Sequence, residues 1–362
     1  MPRAERLGLP PREATITGAA LDDPDALLAR EAALREPGGS LRMRDAAAAL
    51  GVPEAALVEA RRRGGAARRL ARPEAKEGFG RVLARLPEVG EVMALTRNDT
   101  AVHEKVGRFA PPGIDGALGQ VVGDIDLRLF LQHWRFGYAL SEDGRDSLQF
   151  FDAAGTAIHK VYRREATDAA AFERIVADFA DPDAAPARFE PAAPPKAERP
   201  DADVDVAGLR AAWSALRQTN LFFGLMRQFQ VTRAQAMRLA GADFARAVPA
   251  SAARAVLEAA ASTGLPVMVF VGNRGCLQIH AGPVQRVETV GPWLNVLDPD
   301  FNLHLRVDQV TGAYVVRKPS ALGDIHALEL YDAGGELAAQ VFGHRHNRGE
   351  ERADWRALVS GL

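Results

Sequence analysis

The 362-residue chain has one cysteine, Cys276, so neither an intramolecular disulfide nor a thiolate metal cluster can form within it. That usage fits a reducing compartment, and the cytoplasm is the expected location. Aromatic residues are sparse at 7%, and no apolar run approaches the ~20 residues that a membrane-spanning helix needs. The first twenty residues hold Pro2, Pro10 and Pro11 among charges and lack the apolar stretch of a secretory signal. Neither sign of charge dominates: 45 Lys and Arg face 47 Asp and Glu, so no overall field draws in nucleic acid or an anionic membrane surface. Hydrophobic residues at 47% and charged residues at 25% are the proportions of an ordinary globular protein.

Familiar catalytic signatures are missing too. There is no Gly-rich phosphate loop ending in Lys, no Gly-x-Ser-x-Gly elbow and no Cys/His pairing at nucleophile spacing. Among eight histidines only His344 and His346 form a short pair. Two residues apart on a strand they would point to one face and could share a metal or ligand, with an exposed turn as the plainer reading.

What the chain does have is a long repeat. Ser147-Leu148-Gln149-Phe150-Phe151-Asp152-Ala153-Ala154-Gly155 returns about 180 residues later as Ala327-Leu328-Glu329-Leu330-Tyr331-Asp332-Ala333-Gly334-Gly335. Both are alternating apolar strands closed by Asp-Ala-x-Gly. Upstream, Val92-Met93 matches Val267-Met268, Asn98 matches Asn273, Ile125 to Leu129 matches Phe301 to Leu305, and Tyr138 matches Tyr314. Leu50-Gly51-Val52-Pro53-Glu54-Ala55 falls opposite Phe229-Gln230-Val231-Thr232-Arg233-Ala234. A period this long denotes two domains, not a solenoid. Where the copies differ in chemistry is where function is expected.

Helical spacing dominates from Asp23 to Arg72, and a further helix is predicted from Glu77 to Leu86. Strands follow from Glu91 to Arg163, and a helix over Ala169 to Phe179 closes the first half. Six prolines between Asp181 and Asp205 mark an extended linker. The second half repeats the order, with helices from Val206 to Thr263, strands from Pro266 to Phe342 and a last helix near Glu350 to Ser360. The expected fold is α+β: two tandem homologous domains over 23–180 and 206–362 joined by a linker at 181–205, each with helices ahead of an antiparallel meander.

Met43 to Arg63 resembles a helix-turn-helix, and Arg61, Arg62 and Arg63 could meet phosphates. Against nucleic acid, the same helix-break-helix recurs around Val231 with no basic run. A packed helical hairpin with solvated arginines is the reading preferred.

At Ala94-Leu95-Thr96-Arg97-Asn98, and from Trp213 through Phe222-Phe223-Gly224-Leu225, the chain resembles the bacterial cytoplasmic haemin-degrading and haemin-transport factors. Asn295 to Leu305, Val316-Arg317-Lys318-Pro319 and Phe342-Gly343-His344-Arg345 carry the same likeness, which spans both halves. The resemblance implies a haem cleft built from both halves. It assigns Arg97 to face the iron, Arg233, Lys318 and Arg345 to the propionates, and Phe223 and Phe342 to the apolar walls. The chemistry is consistent, since haem presents an apolar plate, two carboxylates and a Lewis-acidic iron.

One position departs. Where the family places its axial histidine, before Phe-Phe-Gly, this chain reads Gln218-Thr219-Asn220-Leu221-Phe222-Phe223, so Asn220 takes that place and no histidine lies between His159 and His280. Ligation borrowed from His344, His346 or Arg97, a homologue that has given up haem for a partner-binding or regulatory role, and a different tetrapyrrole all stay open. The resemblance implies a cytoplasmic haem carrier in haem-iron utilisation, with oxidative haem opening by an external reductant left as an open alternative. Implied partners are a haem importer ATPase, a downstream haem oxygenase or a reductase, with the chain a monomer or homodimer.

Overall fold

The structure, a computed structural model, describes residues 23–35, 41–345 and 349–362. The first half begins with helices α1 (Pro24–Ala33), α2 (Met43–Leu50) and α3 (Glu54–Ala60). The Asp23 carboxylate caps α1 by accepting from the Asp25 and Ala26 amides, and Pro24 sits in the first turn, where its missing N–H costs nothing. Between α2 and α3 the chain turns on Gly51 at φ 68°, a left-handed conformation that glycine adopts without a Cβ penalty.

Strands β1 (Ala67–Leu70), β2 (Gly90–Arg97), β3 (Ala101–Arg108), β4 (Gly113–Asp115), β5 (Leu118–Val121) and β6 (Asp126–Phe130) follow, with a short helix α4 (Gly80–Leu83) between the first two. Then come β7 (Phe136–Glu142), β8 (Arg145–Phe151), β9 (Ala157–Thr167) and helix α5 (Ala169–Phe179). The second half supplies α6 (Val206–Ser214), α7 (Phe222–Gln228), α8 (Arg233–Ala240), β10 (Ala245–Ala247) and α9 (Ala252–Thr263). Its remaining elements are β11 (Val267–Gly272), β12 (Cys276–Gly282), β13 (Val287–Val290), β14 (Trp293–Leu297), β15 (Phe301–Arg306), β16 (Val310–Ser320), β17 (Gly323–Asp332), β18 (Leu337–Gly343) and α10 (Ala353–Ser360). No helix among the described residues is long and apolar enough to cross a membrane.

The duplicated motif folds alike in both places. In each copy the aspartate carboxylate accepts two turn amides: Asp152 from Ala154 and Thr156, Asp332 from Gly334 and Glu336. Gly155 and Gly335 take φ of 77° and 75°, and both hairpins carry an irregularity one step before the turn, at Phe150/Phe151 and Leu330/Tyr331. The repeat is therefore one of backbone geometry as well as sequence.

The expectation of one meander per half needs correction. Two nine-stranded antiparallel sheets form, in the orders β1-β7-β8-β9-β2-β3-β15-β14-β13 and β10-β16-β17-β18-β11-β12-β6-β5-β4. Each half lends three strands to the other's sheet: β15 pairs with β3, and β6 pairs with β12. Reciprocal exchange covers two edges that the lone halves would leave open. The segment 181–205 holds no α-helix or strand, only a turn closed by the Ala184 amide on Asp181 O and another at Asp201–Asp203, and it is tied down. Phe189 packs on Phe136 with ring centroids 5.2 Å apart, and the Glu190 amide donates to Ala153 O.

The helices leave one face of each sheet partly open. Around β1, β7 and β8 the buried residues of α1 to α3 pack over Ala67, Tyr138, Leu140 and Phe151. In the second half α6 to α8 pack over Ala245, Val316 and Tyr331. Trp213 is fully buried there; its indole donates to Arg317 O at 2.9 Å, and its ring lies 4.6 Å from Phe222. That contact fixes α7 at the edge of the uncovered face, and truncating such a tryptophan costs about 3–5 kcal/mol.

Candidate functional site

Residues directly opposite one another on neighbouring strands share a face. Glu329 pairs with Gln340, Gln340 with Phe270, Phe270 with Ile279, and Ile279 with Asp126. One step along, Ala327, Phe342, Met268 and Ala281 make a parallel row, and Leu277 pairs with Arg128. The face of the second sheet beyond the reach of α6 to α8 is thus an apolar floor with Phe270 and Phe342 at its centre, their rings 5.0 Å apart. Glu329 and Gln340 stand at one end and Asp126 and Arg128 at the other.

Two cations converge at the helix end of this floor. Arg233, in the first turn of α8, places a fork on Glu329: Nε donates to Oε2 at 2.8 Å and Nη2 to Oε1 at 2.6 Å. Lys318 on β16 donates to the same Oε1 at 2.6 Å. Gln340 Nε2 and the Tyr331 hydroxyl complete the carboxylate's bonds, at 2.8 and 2.5 Å. Burial works to raise the Glu329 carboxyl, but Arg233 and Lys318 outweigh it and hold it well below the usual carboxylate range. Burial pushes the Lys318 ammonium down to about 8 against the pull of Glu329.

Aromatic rings surround the cations. The Arg233 guanidinium lies 5.1 Å from the Phe222 centroid and 5.8 Å from Phe223, and Lys318 Nζ lies 4.6 Å from Phe222 and 5.7 Å from Phe342. Phe223 is 64% exposed, and Leu221 and Leu322 are exposed as well. An exposed phenylalanine beside buried cations marks the mouth of a ligand site more readily than it marks a core.

Of the residues singled out from sequence, Phe223, Arg233, Lys318 and Phe342 come together here. Asn220 lies in the short turn Thr219–Leu221 that leads into α7. His344 and Arg345 follow the end of β18, with the His344 amide donating to Pro266 O, and His346 lies outside the described residues. Arg97 sits at the end of β2 on the first sheet, where its guanidinium is ion-paired with Glu54. Sequence reading missed Arg128, the guanidinium on the floor of the second-sheet cleft, and Glu329, which organises the cations. Strand alternation through Asp126-Leu127-Arg128 could have flagged Arg128, but only knowing that β6 crosses to the other sheet puts it on this face.

The first sheet has a matching face. Lys160, Leu95, Glu104 and Asn302 form one row, and Tyr162, Met93 and Val106 another. His304 lies beside them, its Nδ1 2.7 Å from Asn295 Oδ1. Lys160 Nζ donates to Glu54 Oε1 at 2.5 Å. The helix-turn-helix arginines are likewise paired: Arg61 with Glu31 and Glu142, Arg62 with Glu59, and Arg63 with Asp25. A polar cavity of about 620 Å³ opens between the two faces around Lys105, Asp124, Arg164 and Asp300, away from Arg233 and Lys318.

Comparison with known proteins places this architecture. The chain is 38% identical over 325 residues to the hemin transport protein HmuS of Yersinia pestis, covering 88% of this chain and 92% of that protein. The hemin transport protein HemS of Yersinia enterocolitica is 36% identical over the same shares. Among solved structures, holo-PhuS, a heme-binding protein from Pseudomonas aeruginosa, superposes with a TM-score of 0.88 at 41% identity, covering 94% of this chain and 99% of that one. The heme degrading enzyme ChuS of Escherichia coli O157:H7 gives 0.86 at 34% identity over the same shares. The haemin-degrading HemS.ChuX domain matches twice, over residues 51–179 and 230–362, and the chain belongs to that family.

Proposed function

We propose that the chain binds haem on the uncovered face of the second sheet and carries it in the cytoplasm for haem-iron utilisation. The observation that carries this reading is the pairing of two cations, the half-buried Arg233 and the buried Lys318, with an apolar floor and an exposed aromatic rim. A flat ligand with apolar faces and carboxylates on one edge satisfies both parts, because guanidinium and ammonium groups recognise carboxylates and the rings exclude water from the contact. The relatives' described roles, hemin transport and heme binding, support the same ligand.

Carriage is favoured over degradation because of Asn220. An amide is a weak donor to haem iron compared with a neutral imidazole, so the floor, rim and cations supply most of the hold. His344 is the described histidine nearest in sequence to Phe342 and is the candidate for borrowed ligation. Arg97 is a poor one, being held by Glu54. Exchange with a haem importer, a haem oxygenase or a reductase belongs to the same reading. The absence of a strong ligand also favours, as a second reading, a tetrapyrrole without bound iron.

The test is a haemin titration of the purified protein, read by the Soret band, with Asn220→His beside it. Saturable one-to-one uptake at micromolar concentration is expected in the wild type, with a sharper six-coordinate-like spectrum in Asn220→His. No saturable uptake in either protein would overturn the reading.

A further inference from the structure

Glu329 has no exposed side-chain surface and receives five hydrogen bonds, from Arg233 (two), Lys318, Gln340 and Tyr331. With Arg233 and Lys318 it makes a cluster of two positive charges and one negative. A guanidinium has five N–H groups and an ammonium three. Among the described residues, no partner accepts from Arg233 Nη1 or from the two remaining N–H groups of Lys318, and these groups lie beside Phe222, Phe223 and Phe342. Arg233 is half-buried and Lys318 buried, so these spare cationic donors stand where an anionic group on a ligand could meet them.

The repeat supplies an internal control. Tyr138 pairs with Gln149 as Tyr314 pairs with Glu329, and Gln149 pairs with Lys160 as Glu329 pairs with Gln340. Position by position, the polarity is reversed. Where the second half has Arg233, the first has Glu54; where it has Lys318, four residues past Tyr314, the first has Glu142, four past Tyr138. The strand carboxylate Glu329 becomes the neutral Gln149. Glu54 and Glu142 are engaged, by Arg97 and Lys160 and by Arg61 at 2.7 Å, so in the first half the carboxylate that holds two cations comes from a helix and not from the strand.

We infer that Glu329 is the positioning residue that selects the ligand. A buried strand carboxylate fixes both cations from behind, leaves them one net positive charge, and aims their unused donors at one carboxylate on the ligand's edge. In the first half the matched strand position is the neutral Gln149, and the carboxylate that holds Arg97 and Lys160 is the helix residue Glu54. The inference rests on the haem-binding reading proposed above and adds what makes the site discriminate.

The experiment compares haemin with haemin dimethyl ester, whose carboxylates are masked while its apolar plate is unchanged. Wild type is expected to prefer the free acid by about tenfold or more, the size of one charge-assisted hydrogen bond set. Glu329→Gln is expected to bring that ratio to within about threefold, and Glu329→Asp to recover part of it. Because Glu329→Gln leaves two cations short of a counter-ion, Tyr331→Phe is measured beside it; that change removes the hydroxyl's bonds to Glu329 and from Arg233 but no charge, and is expected to lower the ratio by about threefold. A full ratio retained in both Glu329→Gln and Tyr331→Phe overturns the inference, as would uptake of two haemin equivalents per wild-type chain. Saturable wild-type binding with no preference for the free acid refutes only the selecting role, whereas uptake of neither compound refutes the haem reading itself.

Discussion

Asn98 and Asn273 close equivalent turns, β2 to β3 and β11 to β12, and each reaches into the other half of the chain. Asn98 Nδ2 donates to Gly272 O at 3.0 Å and Ala338 O at 2.8 Å, while its Oδ1 accepts from the Thr100 and Ala101 amides. Asn273 Nδ2 donates to Arg97 O at 2.9 Å and Ile158 O at 2.8 Å, while its Oδ1 accepts from the Gly275 and Cys276 amides. Replacing Asn273 by alanine strips four backbone groups of a partner, and replacing Asn98 strips the same number besides a longer bond to Leu337 O. At a net ~1 kcal/mol per hydrogen bond the loss is about 4 kcal/mol, falling toward ~2 where water reaches the turn. Urea denaturation should show a lower midpoint at unchanged slope for each variant. Since both substitutions loosen one junction, the double variant should fall short of the summed losses by about 0.5 kcal/mol or more. The exchanged strands require wild type to unfold in a single transition. Losses below about 1 kcal/mol, or two separate wild-type transitions, would refute the idea that these asparagines latch the halves together.

Two further outcomes follow from buried groups. Burial works to raise the Glu54 carboxyl, but Arg97 and Lys160 outweigh it and hold it at about 2. A folded pKa below the ordinary 4.5 means stability that is complete above pH 4.5 and lost as the pH falls toward 2, about 3 kcal/mol in all. Glu54→Gln should cost ~3–5 kcal/mol at neutral pH by leaving its cations unpaired, and it should flatten the acid limb of the urea midpoint; equal acid limbs in both proteins would count against the network. Cys276 is fully buried, and burial pushes its thiol up to about 12 against the hydrogen bond from Thr96. Ellman's reagent should leave it untouched in the native protein and modify it in urea, and rapid native reaction would mean that the junction between the sheets opens.

The helices and the repeat were legible because they are local. The helix over Ala169–Phe179 has its Asp168 cap and an apolar stripe in sequence, and the Asp-Ala-x-Gly turns carry their geometry in the residues themselves. What could not be read is which strands pair across the halves. Alternation assigns β6 and β15 as strands but says nothing about whose edge they complete. That gap explains why one meander was assigned to each half and why Arg128 went unnoticed, since only the β12–β6 register delivers it to the same face as Phe270 and Phe342. β1 and β10, of four and three residues, are too short to show a period and fell inside segments read as helical.

On the haem-carrier reading proposed above, Asn220 and the two carboxylate-centred networks bear on the same question, how a duplicated fold would hold one ligand loosely enough to pass it on. Duplication supplies two equivalent faces, and nothing in the backbone distinguishes them. The placement of charge does: in the second half the strand carboxylate Glu329 holds Arg233 and Lys318, in the first the helix carboxylate Glu54 holds Arg97 and Lys160, and on the proposed reading the second-half face is the receptive one. Within the receptive face, affinity is divided among an apolar floor, a cation pair and the axial position. Weakening the last leaves the first two, which grip the ligand's plate and edge but not its metal. A carrier built this way identifies its cargo by shape and carboxylate while exerting little hold on the iron, so an acceptor offering an imidazole would gain the ligand by the bond that this chain withholds.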